Sequence, residues 1–104
     1  MIRTAEELRA RIAEQSSLLG ESVENADLAG FEGEEIFFGQ SLFKNVSWRG
    51  AKLTRCIFSG SVFTEVDFSD AVLIDCVFSS MVFNQGVSFE GAKLNGAVMI
   101  DTDF

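Results

Sequence analysis

The sequence predicts an all-β solenoid preceded by a short amphipathic helix, and three observations predict it. A large apolar residue returns every fifth position, as at Leu53, Phe58, Phe63, Phe68, Leu73 and Phe78. A small or branched residue stands two positions ahead of most of these centres, as at Ala51, Cys56, Ser61, Val66, Ala71 and Cys76. Residues 1–25 follow neither pattern and are rich in helix formers. Five is neither the helical period of 3.6 nor the strand period of 2. A fixed period held over many units instead marks an array whose neighbours bury a shared core.

The first element is the helix. Thr4 followed by Glu7 has the spacing of a capping box, and "AEELRARIAEQSSLL" favours helix throughout. Leu8, Ile12 and Leu19, with Leu18 adjacent, share one side. About 15 residues would span roughly 22 Å. Such a helix would plug the open end of the first coil, since solenoid ends need capping, or lie along a side wall. The expected division is residues 1–25 as helix and cap, and 26–104 as solenoid.

Within 26–104 the centres run Leu28, Gly33, Phe38, Phe43, Trp48, Leu53, Phe58, Phe63, Phe68, Leu73, Phe78 and Phe83. The count then slips by one and resumes at Phe89, Leu94, Met99 and Phe104, sixteen units in all. The extra residue in "NQGVS" predicts a bulge at a corner, with Gly86 supplying backbone freedom. Phe31 and Gly33 reverse the usual order of small and large, which predicts a local exchange of volume in the first coil.

The units "ADLAG", "AKLTR", "VDFSD", "AVLID" and "AKLNG" resemble pentapeptide repeats, A-(D/N)-(L/F)-X-X, and the resemblance covers about residues 26–104. It implies a right-handed quadrilateral β-helix of about four coils, with four pentapeptides to each coil of about twenty residues. Sorting every fourth centre supports that coil length. One column reads Gly33, Leu53, Leu73, Leu94; a second reads Phe43, Phe63, Phe83, Phe104. A third reads Phe38, Phe58, Phe78, Met99, and the fourth, Leu28, Trp48, Phe68, Phe89, is mixed. At ~4.8 Å per coil the stub would be on the order of 20 Å long.

Charge narrows the function classes. Sixteen acids face eight bases, a formal charge of −8, which repels nucleic acid and anionic membranes. No stretch approaches a membrane span of roughly 18 apolar residues, and the acid-bearing N-terminus is unlike a signal peptide. A cytoplasmic location is expected. The chain has no His, which removes the commonest general base and metal ligand. Neither cofactor nor metal is expected. Cys56 and Cys76 read as small core residues stacked in successive coils, in a geometry poorly suited to a disulfide. The carboxylates, among them Glu32, Glu34, Glu35, Asp67, Asp70 and Asp75, read as solvated faces without a cleft. A non-enzymatic protein is expected.

The outward position just before each centre carries the candidate site. The family prefers Asp or Asn there, as at Asp27, Asp67 and Asp103. Yet one column reads Phe37, Ile57, Val77, Val98, and the adjacent one Leu42, Val62, Val82. These seven would form an apolar surface on two neighbouring walls, large enough for an interface, unless the helix covers part of it. Phe104, a core centre in the closing "IDTDF", suggests an open last coil for a second copy or a partner. The expected function is a protein–protein interaction module, most simply a homodimer. The resemblance also allows an acidic DNA mimic that binds DNA gyrase, although Lys44, Arg49, Lys52, Arg55 and Lys93 interrupt the acids. A third reading is a structural spacer, or a piece of a larger secretion or effector protein.

Overall fold

The computed structural model describes residues 2–15 and 18–100. Its order is α1 (Ala5–Gln15), β1 (Ser22–Asp27), β2 (Glu32–Glu34), β3 (Leu42–Ser47), β4 (Lys52–Thr54), β5 (Val62–Asp67), β6 (Val72–Ile74) and β7 (Val82–Phe83). Strands β1, β3, β5 and β7 pair in parallel in that order, and β2, β4 and β6 form a second parallel sheet. Partners lie twenty residues apart: Val23 faces Phe43, which faces Phe63, and Gly33 faces Leu53, which faces Leu73. Phe37, Ile57, Val77 and Val98 form a third wall through single parallel bridges.

The corners explain the period. A residue of left-handed backbone recurs every fifth position from Gly20 to Ser80, then one residue late at Gly86, Gly91 and Gly96. Four such turns close one coil of twenty residues, so each turns the chain by about a right angle. Nine of these sixteen residues are not glycine. The six-residue strands β1, β3 and β5 bend through Asn25, Asn45 and Glu65, and each therefore spans two walls. The added residue falls at Gly86, φ 69°: Gln85 still bonds Glu65, but Ser88 now faces Asp67.

Two boundaries differ from expectation. Continuous ladders cover about three turns rather than four coils, because the inserted residue interrupts the ladder beyond Phe83. The last turn is held by the bridges Asp67–Ser88, Val72–Lys93 and Val77–Val98. The helix is also shorter, at 11 residues, and the solenoid starts before residue 26. Leu18 is not helical; it occupies the five-residue frame, buried, with its N–H on the Phe37 carbonyl at 2.7 Å. Stacking Leu18 and Val23 beneath Phe38 and Phe43 buries more apolar surface than another turn of a polar helix would.

Helix α1 closes the N-terminal end. Thr4 Oγ1 accepts the Glu7 N–H at 3.1 Å and donates to the Glu7 carboxylate at 3.3 Å. Just ahead of it, Ile2 donates to the Ser22 carbonyl and accepts from the Glu24 N–H, covering the edge of β1. Leu8 is fully buried in the core, the Arg9 guanidinium lies 5.1 Å from the Phe31 ring centre, and Arg11 pairs with Glu21.

Inside, aromatic rings stack along the axis. Phe38, Phe58 and Phe78 are 4.8 and 5.1 Å apart and nearly parallel, and Phe68 and Phe89 are 5.2 Å apart. The exchange of volume at Phe31 and Gly33 is real: a Cβ on Gly33 would stand 2.5 Å from Ile36 Cδ1 and 3.3 Å from Phe31 Cε1. Cys56 and Cys76 are buried free thiols.

An apolar strip on two adjacent walls

The five-residue unit assigns each outward side chain to a wall. On the wall centred on Trp48 and Phe68, the outward column is Asp27, Ser47, Asp67 and Ser88. Each accepts the backbone N–H two residues on, from Ala29, Arg49, Ser69 and Glu90, at 2.8 to 3.4 Å. A polar side chain at this position therefore completes its own corner. The Ser69 hydroxyl, which also donates to Asp67, holds that carboxyl below the usual carboxylate range, with the Ser69 N–H and Arg49 acting in the same direction.

A depression of about 390 Å³ lies beside this column, lined by Asn25, Asn45, Glu65, Asp27, Ser47 and Asp67 among others. Asp27 and Asp67 both spend an oxygen on turn bonds, and Asn45 Nδ2 donates to Asn25 Oδ1 at 2.9 Å. Among the described residues no group of three or more acids or thiols is placed to hold a metal ion. No helix among them is long and apolar enough to cross a membrane.

The walls through Phe37 and Leu42 are different. Phe37, Ile57, Val77 and Val98 stand in register on one, and Leu42, Val62 and Val82 on the next. Ile57, Val62 and Val77 are half-buried among their neighbours, while the other four are more open. The Phe37 ring lies over Gly39, where a Cβ would meet its Cε1 at 2.4 Å. The ring thus leans towards the corner Gln40–Gly60–Ser80 that joins the two columns. Phe104, expected at the end of the Leu42 wall, lies outside the described residues.

Two further residues belong here: Leu19, expected on the apolar side of the helix but lying beyond its end at Gln15, and Ile100, which the sequence reading did not single out. Gly20 bonds the Gly39 carbonyl, and Ser80 the Ile100 carbonyl, which places Leu19 and Ile100 at opposite ends of the column Gly39, Ser59, Ser79. The large exposed apolar side chains among the described residues are Leu19, Phe37, Leu42, Val82, Val98 and Ile100, at 36 to 57% exposure. All six lie on this one strip. From the Phe37 column to the Leu42 column, no described outward residue carries a charge. The charges begin beside it, at the Arg55–Glu35 pair (3.3 Å) on one flank and at Lys44 on the other. Helix α1, seated on the first coil, leaves the strip open.

Five-residue walls, left-handed corners and parallel registers twenty residues apart define a β-solenoid of pentapeptide units. Residues 41–79 match the family model for pentapeptide repeats in eight copies, so this part of the chain is a pentapeptide-repeat solenoid. Two solved structures are similar to it. One is a pentapeptide repeat protein, Rfr23, from the cyanobacterium Cyanothece 51142, at 18% identity over 83% of this chain and 62% of that one, TM-score 0.34. The other is QnrB1, described as a plasmid-mediated fluoroquinolone resistance protein, at 23% identity over 83% and 52%, TM-score 0.35. The chain thus covers less than two thirds of either neighbour's length. No curated protein gave a significant match.

Proposed function

We propose that this chain is a non-enzymatic interaction module that binds protein through the charge-free strip of Phe37, Ile57, Val77, Val98, Leu42, Val62 and Val82, extended by Leu19 and Ile100. One observation carries the reading: every large exposed apolar side chain among the described residues falls on that strip, in a chain of net charge −8. Strand preference alone would spread such residues over all four walls. A cytoplasmic location belongs to the same reading, supported by two thiols left unpaired.

The test is whether the strip serves folding or binding. Val98→Asp and Val82→Asp should each change the unfolding free energy by no more than about 1 kcal/mol, the span of strand preferences. Urea titration at low protein concentration, followed by the emission of Trp48, measures this. Losses near ~3 kcal/mol would make these residues part of the packing and end the reading. Binding through the strip should also survive high salt.

The second reading is an acidic imitation of DNA that engages a type II topoisomerase such as DNA gyrase, and the net charge favours it. Against it, the acids alternate with bases: Glu35 pairs with Arg55, and Asp70 stands 3.9 Å from Arg49. Gyrase binding that falls steeply with salt and inhibits supercoiling would favour mimicry. A plain spacer would show neither behaviour.

A further inference from the structure

We propose that both apolar walls are self-pairing surfaces, and that four copies of this chain pack antiparallel about the corner Gln40–Gly60–Ser80. The inference rests on the strip being an interface, and it names the occupant.

Taper points to a second copy. Along the first wall the side chains shrink from Phe37 through Ile57 to Val77 and Val98, while the second runs Ser22, Leu42, Val62 and Val82, small at both ends and largest at Leu42. The first wall is therefore wide at the capped end and narrow at the other. A partner laid parallel would splay open. A copy laid antiparallel sets the Phe37 end against the Val98 end, and the gap becomes even; on the second wall it sets Ser22 against Val82 and Leu42 against Val62. The fit is of the surface with itself, which is the requirement for a two-fold contact.

Charge points the same way. Away from the strip, another copy presents the same acidic surface, whereas across the strip two copies bring no described charge together.

The number four follows from the corner. Four turns close each coil, so the two walls stand about at right angles and face two different neighbours. One flat wall of a molecule measuring 30 × 23 × 20 Å offers on the order of 600 Å² per partner, the low end for a stable complex. Using both walls doubles it. Four square prisms in a two-by-two block each bury two adjacent walls, with one corner of each on the common axis. That corner is Gln40, Gly60 and Ser80, uncharged and mostly small. Two-fold pairing on each wall closes the block with D2 symmetry, and nothing is left to propagate.

Light scattering on the full chain tests this over a range of concentrations. The wild type should weigh about four times 11.4 kDa. Val98→Asp alone and Val82→Asp alone should each leave pairs, and the double variant single chains, with unchanged far-UV circular dichroism. If an Asp variant fails to fold, Val98→Thr and Val82→Thr should weaken assembly in the same order. A wild type that stays monomeric or dimeric would overturn the inference. So would single variants that fall straight to monomers, since those require one wall to meet the other. In a monomeric wild type, variants that keep their stability would leave the strip to a different protein, whereas variants that unfold would remove the interface reading as well.

Discussion

Trp48 lies flat against Phe68, ring centres 5.9 Å apart and planes 4° from parallel, one coil above the next. Among the described residues its indole N–H is the one buried side-chain donor without a partner. Stranding such a group costs about 1–3 kcal/mol. Trp48→Phe removes the orphan donor and restores the phenyl that the same column carries at Phe68 and Phe89. The loss of ring volume and the relief of the donor oppose each other, so urea unfolding followed by circular dichroism should shift by within about 1 kcal/mol. Phe58→Ala, which only opens a hole in the same core, should cost ~3–5 kcal/mol. A Trp48→Phe penalty of similar size would show that the N–H is satisfied after all.

Corner backbone should respond in opposite directions to two exchanges. Gly50 has φ +68° and nothing within 4 Å of a would-be Cβ, so Gly50→Ala meets a purely backbone penalty of about 1–2 kcal/mol. Ser80 already bears that penalty at φ 55°, and Ser80→Gly should recover part of it, up to about 1 kcal/mol after the added freedom of the unfolded chain. Paired thermal melts decide the point. A stabilising Gly50→Ala would contradict the left-handed corner.

How much of this was legible follows from which side chains are buried. The centres and the small positions face inward, so burial writes them into the sequence every fifth residue, and the single inserted residue at Gly86 shows as a slip in the count. The corners face solvent. There the left-handed residue is Asn25, Glu35, Arg55 or Asp75 as readily as Gly30, and nothing in such a residue announces its φ. Leu18 was ambiguous because a leucine serves a helix face or a solenoid column equally well, and only stacking under Phe38 decides. The apolar columns were visible because Phe37 and Ile57 stand where Asp27 and Asp67 have turn bonds to make. Leu19 and Ile100 were not, since Gly39, Ser59 and Ser79 between them carry no apolar signal.

Two serines take the small inward position and should be worth more than alanine there. The Ser61 hydroxyl donates to the Phe38 carbonyl at 2.9 Å and accepts the Ser41 N–H at 3.1 Å, while Ser41 repeats the pattern towards Leu18 and Glu21. Ser61→Ala fits the space that Ala51 and Ala71 occupy on another wall, yet leaves a buried N–H without its acceptor. A cost of about 1–3 kcal/mol is expected, and amide exchange at Ser41 should quicken more than at Ala51. An unchanged stability would mean that another acceptor takes over.

Cys56 should make stability fall in alkali. Cys56 is pushed up from its ordinary value, first by its hydrogen bond with Cys76 and then by burial. Because the folded value is the higher one, the neutral thiol is what folding favours. Stability from this source is complete below the unfolded thiol's value of about 8.5 and is lost as pH rises above it, by at most about 1.4 kcal/mol per pH unit for one thiol. Cys76 is held below its ordinary value by the same contact, so its contribution is complete above the unfolded thiol's value. Urea midpoints should therefore decline from pH 9 upwards. Replacing both thiols, Cys56→Ala with Cys76→Ala, should flatten that decline, since burial would raise Cys76 once Cys56 is gone. In the native protein neither thiol should react with a disulfide reagent at pH 8, and both should react once urea unfolds the chain. Rapid native labelling of Cys56 would show that the second coil opens and would remove the basis for the alkaline decline.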